Sequence, residues 1–180
     1  MFRYVFPALL PLVLATPVLA QHHHSGGHSP SSHSPYAGFE KRPIKALSDQ
    51  QIDDLRNGRG MSLALPAELN GYPGPLHVLE LADRLSLAPE QKRRMEELHA
   101  AMKAEAVELG ARLIEQEKSL DRLFAERTVA ADTLTEATAA IGATQAKLRN
   151  AHLKYHLATA EVLKPEQVKM YNRLRGYAAH

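Results

Sequence analysis

Residues 89–127 read PEQKRRMEELHAAMKAEAVELGARLIEQEKSLDRLFAER. Met95, Leu98, Met102, Ala106, Leu109, Leu113, Leu120 and Phe124 recur at intervals of three, four or seven, which places them on one stripe of an α-helix. Lys92, Arg93, Glu96, Lys103, Glu108, Glu115 and Lys118 fill the other face as a solvated surface. A second stripe follows over residues 134–163: Leu134, Ala137, Ile141, Thr144, Leu148, Ala151, Tyr155, Ala158 and Val162, alternately three and four apart. Only the short turn 128–133 separates the two patterns, so the helices must fold back on each other as an antiparallel hairpin, with Leu113 and Leu148 facing inward.

Shorter helices flank the hairpin. Pro165 starts a last one carrying Val168, Met170, Tyr171, Leu174 and Tyr177. Pro75 opens another over residues 76–85, with Leu76, Leu79, Leu81, Ala82 and Leu85 as its buried face. Ser48, with Gln51 three residues on, forms a capping box for a short helix ending near Asn57-Gly58. Residues 58–75 contain Gly58, Gly60, Pro66, Gly71, Pro73, Gly74 and Pro75, too many breakers for a long helix and too much apolar surface for a free linker. They read as a strap wrapped on the helices. The fold class is therefore all-α: a long antiparallel hairpin with short flanking helices (76–180), preceded by an irregular segment with one short helix (36–75).

The first 35 residues differ in texture. Residues 1–20, MFRYVFPALLPLVLATPVLA, place Arg3 before an apolar run that ends at Val18-Leu19-Ala20, the layout of a cleaved secretory signal. Pro7, Pro11 and Pro17 break that run well short of the ~20 continuous apolar residues that a membrane span needs. With no cysteine after the cleavage point there is no lipoprotein anchor, and a periplasmic chain starting at Gln21 is expected. Residues 21–35, QHHHSGGHSPSSHSP, have nothing to bury and read as a mobile tail. Its His22, His23, His24, His28 and His33 make it either a loose collector of Cu, Ni or Zn, or a solubilising spacer.

Composition narrows the function. Lys plus Arg number 22 against 20 for Asp plus Glu; loss of Arg3 leaves 21 − 20 = +1, too little for a nucleic-acid surface. With no cysteine there is neither a disulfide framework nor a thiolate, so a metal site would draw on His, Met, Asp or Glu. The sequence holds no phosphate-binding glycine loop, no G-x-S-x-G and no H-E-x-x-H, and its carboxylates alternate with Lys and Arg, so an enzyme is not expected.

His152 and His156 stand four apart on the second long helix, about 6 Å along its axis, close enough to share one ion. His77 and Glu80, three apart on the short helix, are the leading further ligands, with His99 behind them. Met61 is a soft donor or a core residue. The alternative for the histidine pair is an edge-of-core position that binds nothing.

One motif occurs twice. Leu87-Ala88-Pro89-Glu90-Gln91 and Leu163-Lys164-Pro165-Glu166-Gln167 share L-x-P-E-Q, a helix start with proline at the first position and glutamine folded back on the cap. At the two ends of a helical hairpin behind an export signal, this pair resembles the LTxxQ motif of the Spy/CpxP family over residues 76–177. Ala88 and Lys164 replace the capping Thr. Residues 36–48, 58–83 and 152–167 further resemble that family's heavy-metal sensor and resistance branch, which includes nickel/cobalt sensors and zinc-associated proteins. The resemblance implies a dimeric, cradle-like helical protein binding metal ions or unfolding clients. Two function classes result. One is a periplasmic heavy-metal-binding protein for sensing or resistance, taking Cu, Zn, Ni or Co. The other is an ATP-independent chaperone acting in envelope stress. Expected partners are a second copy in a homodimer and either a membrane-bound sensor or anti-sigma factor, or unfolded clients.

Overall fold

Helix starts and stops along the chain follow local chemistry. In the computed structural model, which describes residues 34–177, Ser48 caps α1 (Asp49–Arg56): its hydroxyl accepts from Gln51 N–H at 3.2 Å, and the Gln51 side chain accepts from Ser48 N–H at 2.9 Å. The expected export signal (1–20) and the tail histidines His22, His23, His24, His28 and His33 lie outside the described residues. After α1 come a single turn, α2 (Leu65–Glu68), and α3 (Pro75–Glu80). The long helices α4 (Pro89–Ala125) and α5 (Ala131–Val162) form the hairpin, and α6 (Pro165–Arg175) closes the described chain. All regular elements among the described residues are helical.

The hairpin turn is tight. Arg127 takes a left-handed conformation (φ 55°), Arg127 N–H donates to Phe124 O at 3.1 Å, and Thr128 N–H donates to Leu123 O at 3.0 Å, a Schellman end built without glycine. Ala130 N–H then donates to the Thr133 hydroxyl at 2.9 Å, and Asp132 sits in the first turn, so α5 starts three residues before the first apolar position of its stripe. Lys154 and Glu105 pair at 2.7 Å across the antiparallel helices and mark their alignment.

From Tyr36 onward the described chain is one compact unit, and residues 36–75 contribute to its core. Ile44, Leu47, Ile52 and Leu55 pack with Leu109, Leu113, Ile141 and Leu148. Contact is closest at Gly110, where a Cβ would stand 2.3 Å from the Leu55 carbonyl oxygen, so α1 rests directly on the α4 backbone. A second cluster joins Val78, Leu85, Met95, Leu98, Leu163 and Tyr171 at the open end of the hairpin.

The two L-x-P-E-Q copies meet. Gln91 and Gln167 each accept from the backbone N–H of their own cap residue, Ala88 and Lys164, at 3.0 and 2.9 Å. Each also donates to the other, at 2.9 and 3.1 Å, and to a carbonyl: Gln91 to Val162 at 2.9 Å, Gln167 to Leu85 at 3.2 Å. The motif therefore initiates two helices and also ties them together. The reverse half of a capping box is missing in both copies, because Ala88 offers no acceptor and Lys164 makes no side-chain cap.

Three stripe positions are not core. Phe124 is 55% exposed because no flanking helix among the described residues covers the hairpin tip; the buried positions of α4 end at Ile114 and those of α5 begin at Ile141. Leu76 and Met170 are also exposed. The short helix ends at Glu80, since Leu81, Ala82 and Ser86 donate back three residues in successive turns and Ser86 adopts φ 48°. That shortening makes fully buried Val78 its inward residue in place of Leu76.

Candidate functional site

The strap 57–65, the start of α3, and one face each of α4 and α5 line a cavity of about 590 Å³ that is open to solvent on one side. His77, His99, His152 and His156 all line it, which is every histidine among the described residues. Met61, Met102 and Glu68 line it too. Met61 and Ser62 hold consecutive left-handed conformations, φ 41° and 64°, where the strap passes over the cavity. Strain of that kind in non-glycine residues persists only where surrounding contacts fix it.

His152 and His156 are both buried on the inner side of α5. His156 Nδ1 stands 2.7 Å from the Tyr72 carbonyl oxygen, which can only accept, so the proton is on Nδ1 and the Nε2 lone pair is free. Gly74 permits that orientation: a Cβ there would lie 3.0 Å from both Cε1 and Nε2 of the ring. His152 is 2% exposed, and its Nε2 is buried without a hydrogen-bond partner. A buried, unpaired imidazole nitrogen costs stability, so its retention needs a reason. Burial first, and then the neighbouring His156, lower the His152 pKa below the ordinary imidazole value and favour its neutral, ligating form.

On the opposite wall, His77 is half-exposed, with Nδ1 3.5 Å from Glu68 Oε1 and no hydrogen bond. His99, on α4, is half-buried; desolvation and then Lys103 lower its pKa, partly offset by Glu80. Glu80 itself is exposed and outside the cavity wall, reaching His99 only through its charge. The carboxylate at the cavity is Glu68, 5% exposed. It accepts from the Tyr171 hydroxyl, from the Tyr177 hydroxyl at 3.1 Å and from Gly74 N–H at 3.2 Å, and lies 3.7 Å from His156 Nδ1. Burial pushes the Glu68 carboxyl upward, but the His77 contact and the two tyrosine hydroxyls outweigh it and bring its pKa to about 2. The same pairing, after burial, raises the Tyr171 hydroxyl above the ordinary phenol range.

The α5 pair thus shares the cavity with His77 and His99, while Glu68 replaces Glu80 as the nearby acid. Glu68 lies 103 residues from Tyr171 in the chain, and nothing local in LPAELNG marks it as buried. Among the described residues no three His, Asp or Glu groups are already gathered at coordinating distance. The cavity presents donors on its walls with space between them. No protein-family model, curated protein or solved structure matches the chain.

Proposed function

We propose that the chain is an envelope metal-binding protein that takes a transition metal ion (Cu, Zn, Ni or Co) into this cavity for sensing or resistance, as in the heavy-metal branch of the Spy/CpxP family. The carrying observation is the buried, unpartnered Nε2 of His152 in a cavity that all four described histidines line. Four imidazoles and two thioethers suit borderline and soft divalent ions rather than Ca or Mg. His152 and His156 are the first two ligands, and the Tyr72 carbonyl fixes the ligating tautomer of the second. His77 and His99 close on the ion from the facing wall, moving in from their half-exposed positions. The uncovered hairpin tip around Phe124 supports a homodimer, the commonest closed assembly.

Calorimetric titration of the four metals at neutral pH, on protein lacking residues 21–35, tests this reading. His152→Ala, His156→Ala and His77→Ala should each lower affinity at least about tenfold, ~1.4 kcal/mol. The chaperone reading has its own support in the exposed Leu65, Leu69, Tyr72 and Leu76 beside the cavity. It takes over if the shortened protein binds no metal yet suppresses aggregation of a denatured client.

A further inference from the structure

Glu68 touches two parts of the molecule at once. One carboxylate oxygen, Oε2, faces the cavity beside His156 Nδ1 at 3.7 Å and accepts from Gly74 N–H. The other, Oε1, lies 3.5 Å from His77 Nδ1 and accepts from both Tyr171 and Tyr177. Arg175 Nε approaches the same oxygen at 3.8 Å. Tyr171 and Arg175 belong to α6, and Tyr177 follows it, so the C-terminal half of that helix is fastened to the strap through this anion. Tyr171 is fully buried, so its hydroxyl has no water to fall back on.

We propose that Glu68 couples the cavity to α6: a divalent ion held by His152 and His156 draws the carboxylate toward the cavity and off the two tyrosine hydroxyls, loosening the C-terminal helix. The inference rests on the metal-binding reading above. An anion with little access to water responds more strongly to a nearby dication than to neutral hydroxyl donors. Oε1 cannot follow the charge without lengthening the Tyr171 and Tyr177 bonds, since both end on that atom. The remaining ties of α6 are the Gln91–Gln167 pair and its apolar side chains, which lie nearer its N-terminal end or bury less than Tyr171. Loosening should therefore be concentrated over residues 171–177, and the consequence is a metal-dependent change at the C-terminal end of the described fold.

Hydrogen exchange of the full chain with and without zinc tests it, zinc being redox-silent. Exchange over residues 171–177 should rise about tenfold with zinc, the scale set by losing two hydrogen bonds. The Tyr171→Phe/Tyr177→Phe protein should show fast exchange there without zinc and no further rise with it. Calorimetry on the full chain and on His152→Ala counts the zinc ions that the cavity holds. Cavity zinc with unchanged or slower exchange at 171–177 overturns the coupling alone. The same zinc affinity and count in both proteins overturns the metal site and the coupling with it.

Discussion

The middle of the hairpin and its open end each have an apolar cluster, but they differ in how many polar groups they bury. In the middle, α1 lies on α4 and α5 through Ile52, Leu55, Leu109, Leu113, Ile141 and Leu148, and helix backbones touch at Gly110. At the open end the same two helices bury Glu68, His152, His156, Thr159 and Gln167 among their apolar residues. The first region is held by close packing, which fails when volume changes. The second adds buried polar groups to its own apolar cluster, most of them satisfied by named partners, and one nitrogen of His152 is left over. A molecule concerned only with stability would have filled the open end as it filled the middle. On the proposed function, the difference marks where stability is given up for binding.

Substitutions should separate the two regions by size and by sign. The largest loss belongs to the middle: Gly110→Ala puts a Cβ 2.3 Å from a backbone oxygen that cannot rotate away, and α1 must lift. A cost of about 3 kcal/mol or more is expected, read as a drop of roughly 10 °C in melting temperature. Next is Glu68→Gln, which disturbs every partner of the buried carboxylate, at about 2–3 kcal/mol by urea unfolding. A smaller loss than that of an exposed substitution would sever Glu68 from the account.

Acid should act on the open end in two stages. His152 resists protonation when folded, so the unfolded chain takes up the proton more readily and stability falls as pH drops below about 6.5. The depressed pKa of Glu68 contributes stability above the unfolded carboxyl value of 4.5, lost as pH falls toward about 2. Unfolding midpoints from pH 7.5 to 3 in wild type and in His152→Leu would show the first stage shrinking in the variant, with the remainder belonging to His99.

The smallest effect has the opposite sign. His152→Leu replaces a buried, unpaired nitrogen with an apolar group of similar size, so the metal-free protein should gain about 1 kcal/mol. Destabilisation would mean that the nitrogen is satisfied in the folded protein.

The legible and illegible parts of the molecule divide along the same line. The hairpin could be read because its stripe depends only on spacing: Met95, Leu98, Met102, Ala106, Leu109 and Leu113 are all buried as their intervals require. Phe124 fits that stripe equally well, but burial needs a neighbour, and none among the described residues covers it. The His152–His156 pair was visible as an i, i+4 relation on one helix. Glu68 was hidden, since its partners Tyr171 and Tyr177 are 103 and 109 residues away and no periodicity connects them. Glu80 was chosen for its spacing from His77, a relation within one helix that says nothing about which residue faces α5. In the sequence the two L-x-P-E-Q copies are only helix starts, and the hydrogen bonds between their glutamines exist only because the hairpin returns α6 to the base of α4.

The central claim is that imidazoles of the hairpin hold a metal ion in the cavity. X-ray absorption on protein with residues 21–35 removed and one equivalent of zinc added tests it most directly. The account predicts at least two imidazole nitrogens at about 2.0–2.1 Å, reduced in His152→Ala and in His156→Ala. A shell of oxygen atoms alone, or the same spectrum in wild type and both variants, would contradict it.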